Sequence, residues 1–188
     1  MATGGYYSGV LDVYYAEMTT EDTVSSAAVY DVPAVLGKTI EVTVTPDFKE
    51  GSVYASNIKT RAESRIIDYK VSLNVDKIEQ DVLDTLLGRQ TSNGVHLVTN
   101  KQIAPYVAIG FALTLDDGTK EYWWMQKGKF AEPTVTGHTD DDSFQYQHPT
   151  IEATFIPVAN SGLIAAIADD DAQAAANWFK SVYTGTEG

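Results

Sequence analysis

Between Ile67 and Val75 every second residue is large and apolar (Ile67, Tyr69, Val71, Leu73, Val75), while Asp68, Lys70, Ser72 and Asn74 fill the places between. Successive side chains of a strand point to opposite faces, so this spacing predicts a β-strand with one core face and one polar face. The pattern recurs. Ile40, Val42 and Val44 alternate with Thr39, Glu41, Thr43 and Thr45, and Pro46 is expected to end that strand. Val107, Ile109, Phe111, Leu113 and Leu115 alternate with the small residues Ala108, Gly110, Ala112 and Thr114. Asp116, Asp117 and Gly118 then make a hairpin-type turn into a return strand, Glu121 to Gln126, with a further strand around Phe130. Ser143 to Val158 alternates again, with Pro149 pointing to an edge position or a bulge. A chain built of such segments is mainly β.

Helical spacing occurs twice. Ile78, Val82, Leu83, Leu86 and Leu87 recur on one face before Gly88, with Asp76 placed to cap the start and Glu79 three residues on, which predicts an amphipathic helix of about three turns flanking the sheet. The Ala-rich stretch 169–183 opens on Asp169, Asp170 and Asp171, whose charges suit a helix N-terminus, and is read as a C-terminal helix. Residues 1–36, Gly- and Tyr-rich and then Thr-, Asp- and Ser-rich, are read as an N-terminal arm of turns and short extended pieces. Residues 46–65 mix Phe48, Tyr54 and Ile58 with Lys49, Glu50, Lys59, Arg61, Glu63 and Arg65. They are too polar for a core and are expected to form a long projecting hairpin or loop. Gln90 to Gly94 reads as a polar loop. No linker divides the chain, so residues 1–188 are taken as one domain, able to remove roughly 70% of its unfolded surface from water.

Composition narrows the function more by exclusion than by suggestion. With 44% hydrophobic and 21% charged residues the chain is not of the disordered class. No apolar run approaches the roughly 20 residues of a membrane span, and Met1 to Tyr7 lacks the basic and apolar regions of a secretory signal, so the expectation is a chain made in a cytoplasm. There is no cysteine, which removes disulfides, thiolate catalysis and Cys-ligated zinc together. The net charge of −13 repels a phosphate backbone rather than gripping it.

The residues that might carry chemistry each have a plainer explanation. His96, His138 and His148 lie far apart and form no ligand pair. The Asp140–Asp142 loop lacks the alternating oxygen ligands and terminal Glu of a calcium loop, and no glycine-rich phosphate cradle is present. No catalytic, cofactor-binding or metal-binding residues, and no cofactor, are therefore expected. Tyr122, Trp123 and Trp124 look like a sugar-stacking platform only until strand geometry is applied. Adjacent residues point to opposite faces, so Tyr122 and Trp124 share one side and Trp123 takes the other. The second face is then buried as well, under a helix or another subunit.

Three stretches carry a resemblance over nearly the whole chain: GGYYSGVLDVYYAEMTTEDT (Gly4 to Thr23), RIIDYKVSLNVDKIEQDVLDTLLG (Arg65 to Gly88) and EYWWMQKGKFAEPTVTGHTDDDSFQYQHPTIEATFIP (Glu121 to Pro157). In order, spacing and composition the chain resembles the major tail (tail tube) proteins of siphophages, related to the inner tubes of contractile tails, tail-derived bacteriocins and type VI secretion. The resemblance implies a β-sandwich or barrel-like subunit, six copies to a ring with inner strands joined into one barrel, and rings stacked into a hollow tube that delivers DNA. Roughly 24 strands spaced about 4.8 Å apart and tilted about 40° close at a diameter near 50 Å, wider than a DNA duplex. The implied partners are other copies of the chain, the tape measure, tail tip and terminator proteins, and double-stranded DNA passing without specific binding. The implied location is the virion, after assembly in the host cytoplasm, with no membrane insertion. On this reading Asp68, Lys70, Ser72 and Asn74 are candidates for the lumen face. Phe48, Lys49, Glu50, Tyr54, Lys59 and Arg61 are candidates for contacts between subunits or rings, and the strands Arg65–Val75 and Val107–Leu115 for edges closed by neighbours. A carbohydrate-binding or decoration module of a virion is the competing reading, and it requires an exposed aromatic cluster on one face.

Overall fold

The alternating segments form strands of one antiparallel sheet, the last of them over Thr150–Ile156, residues 143–147 lying outside the described ones. The computed structural model describes residues 5–55, 58–135 and 148–185, with the side chains of 53–61 outside the description. In chain order its elements are β1 (Tyr7–Val10), β2 (Val13–Thr20), β3 (Val29–Tyr30), β4 (Ala34–Gly37), β5 (Thr39–Ala55), β6 (Ile58–Val75), α1 (Gln80–Leu87), β7 (Gln90–Ser92), β8 (Val95–Leu97), β9 (Val107–Leu115), β10 (Lys120–Phe130), β11 (Thr150–Ile156), β12 (Ala165–Asp169) and a 3₁₀ helix (Gln173–Lys180). The large sheet runs β3-β2-β9-β10-β11-β6-β5, with β1 on β9, β4 on β2 and β12 on β10; β7 and β8 form a separate hairpin. The fold is mainly β. No helix among the described residues is long and apolar enough to cross a membrane.

The sheet curls around its core. Inward residues of β2 (Val13), β6 (Val71, Leu73, Val75), β9 (Val107, Ile109, Phe111), β10 (Met125) and β11 (Ile151, Phe155) share one cluster with Leu86 and Leu87 of α1. The far strand β5 returns to within 8 Å of β1, Cα to Cα, though no ladder joins the two. The centre of the sheet is covered on its second face too. Trp124, Tyr122 and Ala108 pack there against Trp178 and Phe179 of the 3₁₀ helix, and the Trp124 Nε1–H donates to the Trp178 carbonyl at 2.8 Å. Tyr122 and Trp124 thus share one side and Trp123, stacked on Phe111 at 5.8 Å, takes the other, as strand geometry predicted. The small residues of β9 make room for this layer: a Cβ on Gly110 would lie 2.9 Å from the Trp124 ring.

Several expectations are corrected. Residues 1–36 are not an arm. β1 and β2 run along β9, and Val13, Ala16 and Met18 are buried. Alternation is blurred there because β2 is covered on both faces, with Tyr15 against the main core and Tyr14 stacked on Phe179 at 4.4 Å. Pro46 does not end a strand; β5 continues through it opposite Tyr69, since an edge strand tolerates a missing donor that faces away from its ladder. The segment 46–65 is accordingly a paired hairpin, one of the two forms expected of it. The helix after β6 is shorter than predicted, and its N-cap is Glu79 with no side-chain cap; Asp76 stays with the sheet, its N–H donating to the Lys38 carbonyl. Gly88 ends it in the left-handed conformation (φ 66°), as expected. Asp169 closes β12 instead of opening a helix, so the three aspartates do not cap. The C-terminal helix is a kinked 3₁₀ segment starting at Gln173. Gln90–Gly94 is half of the β7–β8 hairpin, turned by Asn93 (φ 52°) and Gly94 (φ 76°), and β10 runs unbroken from Lys120 to Phe130. Pro149 precedes β11, an interior strand, rather than interrupting an edge.

Candidate functional site

Strand β6 pairs with β11 only from Tyr69 to Asn74, and beyond that point it pairs with β5 alone. The ladder register slips at Ile67, opposite the Asp47–Phe48 step, and a bulge of this kind bends a ribbon away from its sheet. What leaves the body is a two-stranded ribbon, Asp47–Ala55 against Ile58–Asp68, about 30 Å long at the rise of a strand. Neither outer edge carries a ladder among the described residues. Its root is apolar and uncovered: Phe48 is 49% exposed and lies opposite Ile66, 38% exposed, with Ile67 at 41%. An isolated two-stranded hairpin is marginal at best in water, so this ribbon calls for a surface the single chain does not supply.

Of the six candidate contact residues, Phe48, Lys49 and Glu50 sit on this ribbon with exposed side chains, and Tyr54, Lys59 and Arg61 lie further along it, where side chains are outside the described ones. The edge candidates were misplaced. The body of β6 is bonded on both sides, by β5 and β11, and β9 by β10 and by β1 and β2, so neither is an edge. Among the described residues the free edges of the large sheet belong to β1, β5, β12 and the β3–β4 end, where Val29 and Val35 are about half exposed.

The four candidate lumen residues do share a face, and the structure extends it. Register aligns Glu41, Asn74 and Thr150 across β5, β6 and β11, then Thr43, Ser72 and Glu152, then Thr45, Lys70 and Thr154. This outer face is polar throughout and of mixed sign. Lys70 is exposed and lies 3.6 Å from Asp47, while Asp68, Ser72 and Asn74 are half-buried, with one oxygen each of Asp68 and Asn74 buried and unpaired.

Two charged clusters escaped the sequence reading. A bulge in β10 between Met125 and Gly128 turns Gln126 and Lys127 inward. Lys127 Nζ donates to Asp22 Oδ1 at 2.6 Å, the Ala159 N–H donates to the other Asp22 oxygen, and Gln126 Nε2 donates to the Tyr183 carbonyl at 2.6 Å. Burial pushes the Asp22 carboxyl up, but the bonds from Lys127 and Ala159 outweigh it and hold it below the usual carboxylate range. The bulge therefore ties both terminal segments to the sheet. In the second cluster, Asp84 on the buried side of α1 accepts from Thr91 Oγ1 at 2.8 Å and bonds His96 Nδ1 through the same oxygen. Gln80 and Arg89 reach the other oxygen at 3.5 and 3.8 Å, and Arg89 also pairs with Glu132. Burial raises the Asp84 pKa, yet the bonds from His96 and Thr91 bring it below the ordinary value.

Asp81, Asp84 and His96 place ligand atoms within 4.8 Å of one another, the spacing of a metal site. The donors argue otherwise: both Asp84 oxygens already accept, and the Arg89 guanidinium beside them would oppose a cation. The cluster is a latch holding the β7–β8 hairpin to α1. His148 lies 3.5 Å from Asp76, and His138 and Asp140–Asp142 fall outside the described residues. Compared with known proteins, the chain matches no protein-family model and no curated protein sequence.

Proposed function

We propose that this chain is a structural virion protein without enzymatic activity, the major tail protein of a long-tailed phage. It polymerises as stacked hexameric rings into a hollow tail tube that delivers DNA. The observation that carries this is the uncovered β5–β6 ribbon with its exposed apolar root. Such a ribbon gains its stability by packing on another copy, and a contact between two different patches of the same chain makes a ring when the rotation between neighbours closes and an open filament when it does not. The sequence resemblance supplies the ring number and the stacking.

The polar face of β5, β6 and β11, centred on Asp68, Lys70, Ser72 and Asn74, suits a lumen. It offers mixed charges and hydroxyls and no basic patch for phosphate to hold, on a chain of net charge −13. DNA then passes without adhering, and the tape measure, tail tip and terminator meet the ends of the tube. The same reading serves a tail-derived bacteriocin or secretion tube. The carbohydrate-binding alternative loses support because the β10 aromatics form no exposed platform: Tyr122 and Trp124 lie under the 3₁₀ helix and Trp123 packs on Phe111. Deleting Lys49 to Lys59 should leave a folded monomer that forms no tubes in negative-stain micrographs. Tubes of normal length from that deletion would sink the reading.

A further inference from the structure

The ribbon and the body carry opposite charge. Residues 48–66 hold four of the chain's 13 basic residues and two of its 26 acidic ones, so the segment is +2 and the rest of the chain is −15. On the ribbon, Lys49 stands directly opposite Arg65. On the body, Glu121 of β10 stands directly opposite Asp169 of β12, with Asp170 and Asp171 following. Like charges facing each other across a ladder destabilise it, and the two pairs have opposite sign; Glu63, two residues from Arg65 on the same face, and the Tyr7 and Trp123 donors to Glu121, at 2.9 and 2.6 Å, offset the repulsion in part.

The geometry points to the outer edge of β12 in a second copy, at the acidic end marked by Glu121 and Asp169, as the surface that receives the ribbon. This rests on the assembly reading above and names its contact. β12 bonds only to β10 among the described residues, so its other edge is free. The chain's own ribbon does not cover it: β6 leaves β11 after Tyr69 and bulges at Ile67 before reaching the level of β12. The other free edges of the sheet are poorer matches for a basic ribbon: β3–β4 presents valines, β1 carries no acidic residue, and the body of β5 before Asp47 carries Glu41 alone. Lys120, next to Glu121, points to the opposite face of its strand and does not neutralise the pair. Edge-to-edge addition sets Lys49 and Arg65 beside Glu121 and Asp169, satisfies an open ladder and removes both repulsions.

Charge reversal tests this. Lys49→Glu with Arg65→Glu, and separately Asp169→Lys with Asp171→Lys, should each raise the concentration needed for assembly by about a hundredfold in sedimentation velocity, since like charges then meet across the interface. Neither variant should lower the thermal transition, because all four positions are exposed and Asp169→Lys turns the repulsion from Glu121 into an attraction. Combining the four substitutions in one chain, or mixing the two variants, should restore assembly. Should a reversed variant fail to fold, the neutral pair Lys49→Gln and Arg65→Gln gives the same direction with a smaller loss. If the wild type assembles and the reversed ribbon assembles equally well, or the combination recovers nothing, the contact is wrong while the assembly reading stands. If the wild type does not assemble at all, both fall.

Discussion

β9 with β10 and the distal halves of β5 and β6 are both antiparallel pairs of consecutive strands, yet they live in opposite surroundings. The first is packed on both faces, by the main core and by the 3₁₀ helix, and Trp124 in its middle has no exposed surface. The second has no ladder on its outer edges, and at its root Phe48, Ile66 and Ile67 stay 49%, 38% and 41% exposed. A strand pair takes most of its stability from what covers it, so the first pair holds the subunit together and the second is unfinished until another molecule arrives.

Changes in the first pair should therefore cost folding, and changes in the second should cost only association. The largest effect is expected from Trp124→Ala, which empties the layer over Gly110 and loses the bond to the Trp178 carbonyl. Chemical denaturation should show a loss of about 3–5 kcal/mol. Next comes Asp22→Ala, which strands Lys127 in the bulge without its partner and should cost about 3 kcal/mol, while Asp22→Leu with Lys127→Met should recover only part of it, since the Ala159 N–H stays without its acceptor. Acid gives a graded version of the same break. Asp22 and Asp84 both titrate below their unfolded value of about 3.9, so their contribution is complete above that pH and is lost as pH falls towards the lower folded-state values. Stability measured against pH should decline below about pH 4, and Asp84→Asn should flatten that decline. The smallest effect on folding belongs to the ribbon: Phe48→Ser with Ile66→Ser should shift monomer stability by no more than about 0.5 kcal/mol yet prevent assembly.

The same contrast explains what the sequence disclosed. Strands with one wet face, such as β6 and β11, announce themselves by alternation, and the opposite faces of Trp123 and Trp124 followed from strand geometry alone. β2 was hidden because both its faces are covered, so Tyr14 and Tyr15 are equally buried in purpose and no period of two survives. The C-terminal segment misled by local propensity: its alanines and aspartates favour a capped helix, but pairing of β12 with β10 takes Asp169, and packing of Trp178 and Phe179 on the sheet sets the rest. Asn93-Gly94, a dipeptide that favours two-residue hairpin turns, is the one local mark of the β7–β8 pairing within an otherwise polar stretch. Asp22 and Lys127 are 105 residues apart, and nothing local marks either as half of a buried pair. The ribbon was legible as a projection from its polarity, but its strand pairing, its bulge and its apolar root became visible only with the register.

The central claim is that the uncovered ribbon makes this chain polymerise, and electron microscopy of the purified protein over a range of concentrations tests it most directly. Hollow rings or tubes for the full chain, and only folded monomers once Lys49 to Lys59 are removed, are the predicted result. A full-length chain that stays monomeric at every concentration, or tubes that persist without the ribbon, would contradict it.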